Sequence, residues 1–224
     1  MPRHSPPPPA HITCWIFDLD NTLYAPSMGL FAQIDVKMGA YIMELTGCDA
    51  TEARRIQKAY FHDHGTTLAG LMRHHGIAPD AFLAYVHDVD LSHLAPDPQL
   101  IAALERLPGQ RHIFTNADAD YARRVLERRG LAALFDQIID IRATGYAPKP
   151  EQAAYDSLTR LLPGFAPTHA LFVDDMTRNL RPAHAMGIRT VWLDNGSESG
   201  DRGHDAAHVD HHIDDLTHWL MGIG

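Results

Sequence analysis

Ile12-Thr13-Cys14-Trp15-Ile16-Phe17-Asp18-Leu19-Asp20-Asn21-Thr22 decides the fold. A β-rich apolar run ending in two acids one residue apart reads as a buried strand with a pair of carboxylates at its C-terminal tip. In extended backbone Asp18 and Asp20 point to one side, while Leu19 turns away into packing. Carboxylates held so close repel unless a shared proton or a divalent cation offsets the charge. The stretch therefore points to a Mg2+-dependent carboxylate site near the start of a soluble domain.

Downstream of the pair, Leu30, Ile34, Met38, Ile42 and Leu45 recur at helical spacing until Gly47. Asp49 is placed to cap a second helix with Ile56, Tyr60 and Phe61 on its inner face. Leu68, Leu71 and Met72 predict a third helix before Gly76, and Pro79 opens a fourth through Phe82, Leu83 and Val86. Residues 24–95 thus form an all-helical module. Beyond it, strands alternate with helices: His112–Thr115, Gln137–Ile139, Ala170–Val173 and Ile188–Leu193, with a polar edge strand Val209–Ile213 and a last helix Asp214–Leu220. That alternation predicts an α/β fold, a Rossmann-like doubly wound parallel sheet with an inserted α-helical cap. The expected division is a Pro-rich disordered tail over 1–11, a core of 12–23 and 96–224, and the cap over 24–95. A module entering at a strand's C-terminal end covers the edge where such sheets bind ligands.

Composition narrows the function. The chain has 224 residues, 45% hydrophobic and 21% charged, with a formal charge of −9. Only Lys37, Lys58 and Lys149 supply lysine, so no basic face exists for a nucleic acid polymer. No segment reaches membrane-spanning length and no signal peptide core is present, so a cytoplasmic protein without a membrane partner is expected. Cys14 and Cys48 make no metal or redox spacing. The histidines 204, 208, 211, 212 and 218 fit a polar edge strand and short helix better than a metal site.

Polar groups recur at the other strand ends: Thr115-Asn116, Lys149-Pro150 in a loop before a helix, and Asp174-Asp175. Each alone reads as a capping turn or a solvated loop. Parallel strands bring them to one edge, and four carboxylates, an ammonium, a hydroxyl and an amide suit phosphoryl transfer.

In order and spacing these four segments resemble the motifs of the haloacid dehalogenase superfamily of phosphohydrolases, with the helical module in the place of a C1-type cap. Residues 60–71, with Gly65 and Gly70-Leu71, and Phe17 to Tyr24 also resemble the pyrimidine 5′-nucleotidase branch. The resemblance implies Asp18 as nucleophile, Asp20 as general acid and base, and Lys149 as the neutralising cation. It implies Mg2+ held by Asp18, the Asp20 backbone carbonyl, Asp175 and Asp174, the last direct or through water. Thr115, the Asn116 N–H and Lys149 would bind the phosphate, and Asn179 would support a metal-binding carboxylate. His62 and His64, under the lid, are candidates to meet the nucleoside. The expected substrate is a small phosphorylated molecule, a pyrimidine nucleoside 5′-monophosphate first and a sugar or acid phosphate such as phosphoglycolate second. A phosphomutase shares the core motifs. A non-catalytic regulator on the same fold would have no physical reason to keep its charges clustered.

Overall fold

The structure is a computed structural model that describes residues 8, 10–198, 200–202 and 204–223. The tail expected over 1–11 lies largely outside the described residues. Six strands form one sheet: β1 (Cys14–Phe17), β2 (Gln110–Phe114), β3 (Gln137–Ile139), β4 (Ala170–Asp174), β5 (Arg189–Leu193) and β6 (His211–Ile213). Their spatial order is β3-β2-β1-β4-β5-β6, and every pair is parallel. The chain runs outward in one direction from β1 to β3 and in the other from β4 to β6. The crevice at this reversal, at the C-terminal tips of β1 and β4, is where such sheets bind ligands.

β1 is buried on both faces, which is why it reads as an almost unbroken apolar run. Trp15 and Phe17 pack on one face with residues of α5 (Pro98–Glu105), α6 (Ala119–Arg129) and α9 (Leu216–Met221). Ile16 packs on the other with α7 (Gln152–Leu161) and α8 (Thr177–Ala185). Regular pairing starts at Cys14 rather than Ile12, although Thr13 still donates to His169 O and accepts from Gln110 N. β6 is shorter than expected because Val209 N bonds back to Ala206 O in a tight turn. α9 begins at Leu216 because the Asp215 carboxylate caps it through His218 N, at 2.9 Å.

Between β1 and α5 the chain forms α1 (Leu30–Thr46), α2 (Ala50–His64), α3 (Thr67–His75) and α4 (Pro79–Val86), with no strand among the described residues. Gly47 ends α1, Asp49 caps α2 through Glu52 N at 2.9 Å, and Thr66 caps α3 through Ala69 N at 3.1 Å. Leu30, Ile34, Ile42, Leu71, Phe82 and Val86 join the same apolar cluster as the sheet's first face. Two expectations shift here. Leu45 is 40% exposed near the end of α1. On α2 it is Ala53 and Gln57 that are buried, while Ile56, Tyr60 and Phe61 are half-buried. Gln57 enters because its amide donates to Asp35 Oδ1 at 2.7 Å. No described helix is long and apolar enough to cross a membrane.

Candidate active site

The strand tips meet around one ammonium. Lys149 Nζ donates to Asp18 Oδ1 at 2.8 Å, Asp174 Oδ2 at 2.7 Å and the Phe114 carbonyl at 2.8 Å. Its side chain is 1% exposed. Asn116 fixes the loop that carries it: the amide donates to Lys149 O at 3.2 Å and its carbonyl accepts from Lys149 N at 2.8 Å. The amide side chain is therefore a clamp on Lys149, a role the sequence reading did not assign. Thr115 Oγ1 accepts from Ala117 N at 3.0 Å and stays at the cavity wall. Both Asp174 oxygens are engaged, by Lys149, by Asn179 Nδ2 at 3.0 and 3.1 Å, and by Met176 N at 2.8 Å. Asn179, on α8, is buried against Asp174.

Asp18, Asp174 and Asp175 offer carboxylate oxygens all within 4.8 Å of one another. Burial pushes the Asp18 carboxyl up to about 7; Lys149 opposes this, and the Asp174 and Asp20 charges add to it. Asp175 is likewise raised, by burial first and then by Asp174 and Asp18. Burial works against the Lys149 ammonium, yet Asp174 and Asp18 outweigh it and raise that group above its ordinary value. Fully ionised, the three carboxylates would carry more negative charge than one ammonium offsets.

Asp20 stands apart from that cluster. Asn21, at φ 59°, turns the chain out of the strand line, a left-handed position that Asn tolerates well. The Asp20 Oδ1 atom then accepts from two phenols, Tyr24 at 2.5 Å and Tyr121 at 2.8 Å. His87 stacks on Tyr121 with centroids 4.3 Å apart and bonds the Asp118 carboxylate that caps α6.

A cavity of about 320 Å3 opens from the carboxylates into the helical module. Asp18, Asp20, Thr115, Asn116, Lys149 and Asp175 line its floor, and Phe31, Ile34, Met38, Phe61, Phe82 and Val86 line its roof. Lys58 and Arg178 also reach it. Arg178 Nη2 donates to Gly65 O at 2.9 Å and Nη1 to Phe61 O at 3.3 Å, and its guanidinium lies 4.1 Å over the Phe61 ring.

Compared with known proteins, the profile of haloacid dehalogenase-like hydrolases matches residues 12–187. The chain belongs to this hydrolase family. Phosphate metabolism protein 8 of Saccharomyces cerevisiae is 29% identical over 209 residues, covering 85% of this chain but 64% of the yeast protein. The chain thus spans less than two thirds of that relative. Among solved structures, the HAD-hydrolase YfnB from Bacillus subtilis, bound to magnesium, superposes with TM-score 0.60 at 16% identity, covering 94% of this chain and 97% of YfnB. A predicted phosphoglycolate phosphatase from Haemophilus somnus gives 0.59 at 19% identity, covering 95% and 98%. At these identities the likeness is one of fold.

In this haloacid dehalogenase-like hydrolase, a divalent cation fits the donor set. The three clustered carboxylates are hard oxygen ligands whose ionised forms need a cation beyond Lys149. Asp175 and Asp18 are the freer donors, because Asp174 is committed to Lys149, Asn179 and Met176 N. The Asp20 side chain is not in the group.

His62 and His64 do not line the cavity. His62 Nε2 faces Arg202 Nη1 at 2.9 Å, and His64 Nε2 faces His74 Nε2 at 2.8 Å. Phe61 occupies the inward position of that helix end, so its neighbours are carried round to the outer side. The residues missed from sequence are Tyr121, Lys58 and Arg178, while the sequence reading puts Phe61 on the inner face of α2 without a part in the site. Arg178 had the most visible signal, an arginine three positions after the Asp174-Asp175 pair and so in the first turn of the helix that leaves the site.

Proposed function

We propose that the chain is a Mg2+-dependent phosphomonoester hydrolase whose substrate is a pyrimidine nucleoside 5′-monophosphate. The supporting observation is the cavity itself, whose floor is ionic and whose roof carries aromatic and aliphatic side chains beside Asp35, Gln57 and Lys58. At about 320 Å3 it has room for a leaving group far larger than glycolate. A flat pyrimidine ring can stack against the Phe31, Phe61 and Phe82 wall.

The residues divide the work as follows. Asp18 attacks phosphorus, forming a new P–O bond as the ester P–O bond breaks, which leaves an aspartyl-phosphate. Asp20 delivers a proton to the departing oxygen, then removes one from the water that cleaves the acyl phosphate. Both phenol hydrogen bonds fall on Oδ1, so Oδ2 is left to carry that proton. Lys149 holds Asp18 in line and offsets charge on the phosphate, and Thr115 and the Asn116 N–H receive phosphate oxygens. Asp18, Asp175 and the Asp20 backbone carbonyl would hold Mg2+, whose charge would let an anionic nucleophile approach an anionic phosphate. A dehalogenase has no use for a proton donor at the position of Asp20, which favours ester hydrolysis.

A small acid phosphate is the second reading, because Lys58 and Arg178 line the same cavity and suit a second anionic group. Phosphate release measured with Mg2+ across UMP, CMP, purine monophosphates, phosphoglycolate and sugar phosphates tests both. The proposal expects the highest kcat/KM for UMP or CMP and none in Asp18→Asn. Phosphoglycolate in first place would install the second reading, and full activity in Asp18→Asn would overturn the mechanism.

A further inference from the structure

The helical module holds a histidine cluster outside the catalytic cavity. α2 and α3 cross where Gly70 meets Tyr60, so closely that a Cβ on Gly70 would lie 2.3 Å from the tyrosine side chain. One turn further along each helix are His64 and His74, on the same faces as Tyr60 and Gly70. Their Nε2 atoms are 2.8 Å apart, with ring centroids at 4.9 Å. Tyr60 stacks on His74 at 5.1 Å and 12°, and its hydroxyl lies 2.9 Å from His75 Nε2. The stacking on Tyr60 holds the His74 ring beside His64.

Two imidazole lone pairs cannot face each other bare; a proton or a metal ion must sit between them. We propose that His64 and His74 form a two-histidine site for a transition metal ion of the Zn2+ or Ni2+ type, with water completing the shell. Imidazole nitrogen suits these ions, whereas the carboxylate cluster below suits Mg2+. Zn–N bonds of about 2.0–2.1 Å in a tetrahedral shell put the two nitrogens roughly 3.3 Å apart. The gap must open by only about half an ångström, which the exposed His74 ring supplies. Both residues lie in the last turn of their helices, where the macrodipole favours a cation. The adjoining Gly65 packs beside the Lys149 backbone, so a bound ion would stiffen the module where it touches the catalytic loop.

The test is Zn2+ titration by calorimetry on the full chain, in excess Mg2+ to fill the carboxylate cluster. Loss of even an outer-sphere partner costs metal sites about 10–100-fold, so His64→Ala and His74→Ala should each weaken binding at least tenfold. His62→Ala should leave it unchanged. Equal melting temperatures in chelator establish that the variants fold, and should a variant melt early, His74→Gln takes its place. On the unsubstituted protein, long-range imidazole nitrogen NMR should shift the Nε2 signals of His64 and His74. Affinity unchanged in both single variants, or binding lost in Asp175→Asn instead, would overturn the proposal. The readout is binding, so it stands or falls separately from the substrate assignment.

Discussion

Replacing Lys149 with Met keeps the length of the stem and removes the one charge that touches both Asp18 and Asp174. The ammonium is 1% exposed and makes three contacts of 2.7–2.8 Å, so water cannot take its place. Deleting one member of a buried ion cluster costs about 3–5 kcal/mol, because the partners are left uncompensated. For a chain of this size each kcal/mol moves Tm by about 2–4 °C, so calorimetry in chelator should show a fall of about 6–20 °C. The fall should be smaller in saturating Mg2+. A cation bound to the folded form stabilises it by linkage, and the variant's surplus carboxylate charge strengthens that binding. Hence the Mg2+-induced rise in Tm must be larger in Lys149→Met than in the parent. Turnover should drop by about 10²–10³, the usual consequence of losing one preorganised charge at a reacting phosphate. An equal Mg2+-induced rise in both proteins, or a loss of Tm independent of metal, would refute charge compensation as the role of Lys149.

Three further outcomes are expected. Asp20→Asn should slow kcat by about 10²–10⁴ with little change in Mg2+ affinity, and an aryl phosphate with a very acidic leaving group should suffer less in the first step; weakened metal binding with unchanged chemistry would make its side chain a ligand. Phe61→Ala should lower kcat/KM for UMP by about 10–200-fold while sparing a small aryl phosphate; equal losses on both would place Phe61 in folding rather than selection. Asp118→Asn tests a structural carboxylate: burial raises its pKa, but hydrogen bonds from His87 and the Tyr121 N–H hold it down at about 2, against 3.8 unperturbed. That depression is worth roughly 2 kcal/mol, fully present above the unfolded value and lost as pH falls through the folded one. Urea unfolding should therefore show the cost of the substitution shrinking from about pH 4 downward; a pH-independent cost would refute the assignment.

The sheet and the helical module were legible because their signals are local and redundant. Cys14–Phe17 and Ala170–Val173 are apolar runs, and Asp49 is a side-chain cap that defines a helix start. The floor of the site was legible because parallel strands place their tips together whatever lies between them. The roof was not. Phe61, His62 and His64 share one short helix end, and which of them faces inward depends on how α2 is rotated against α8. That rotation is held by Arg178 bonding to Phe61 O and Gly65 O, a contact between residues more than a hundred positions apart. The clamp of Asn116 on Lys149 escaped for the same reason. A lone asparagine after a strand carries no mark of the loop it will grip.

The central position of β1 has a cost in the order of assembly. Cys14 pairs with Gln110 on one side and with Ala170 on the other. The helices of residues 30–86 close on contacts with near neighbours, but β1 must wait for chain roughly 100 and 150 residues further on. At a synthesis rate of about 5–20 residues per second, that is several to some tens of seconds with an apolar strand edge unpaired. Such an edge is a template for another chain. Asp18 thus rides on a segment exposed to aggregation during translation, and slowing elongation between Gln110 and Ala170 should lower soluble yield without altering the specific activity of what folds.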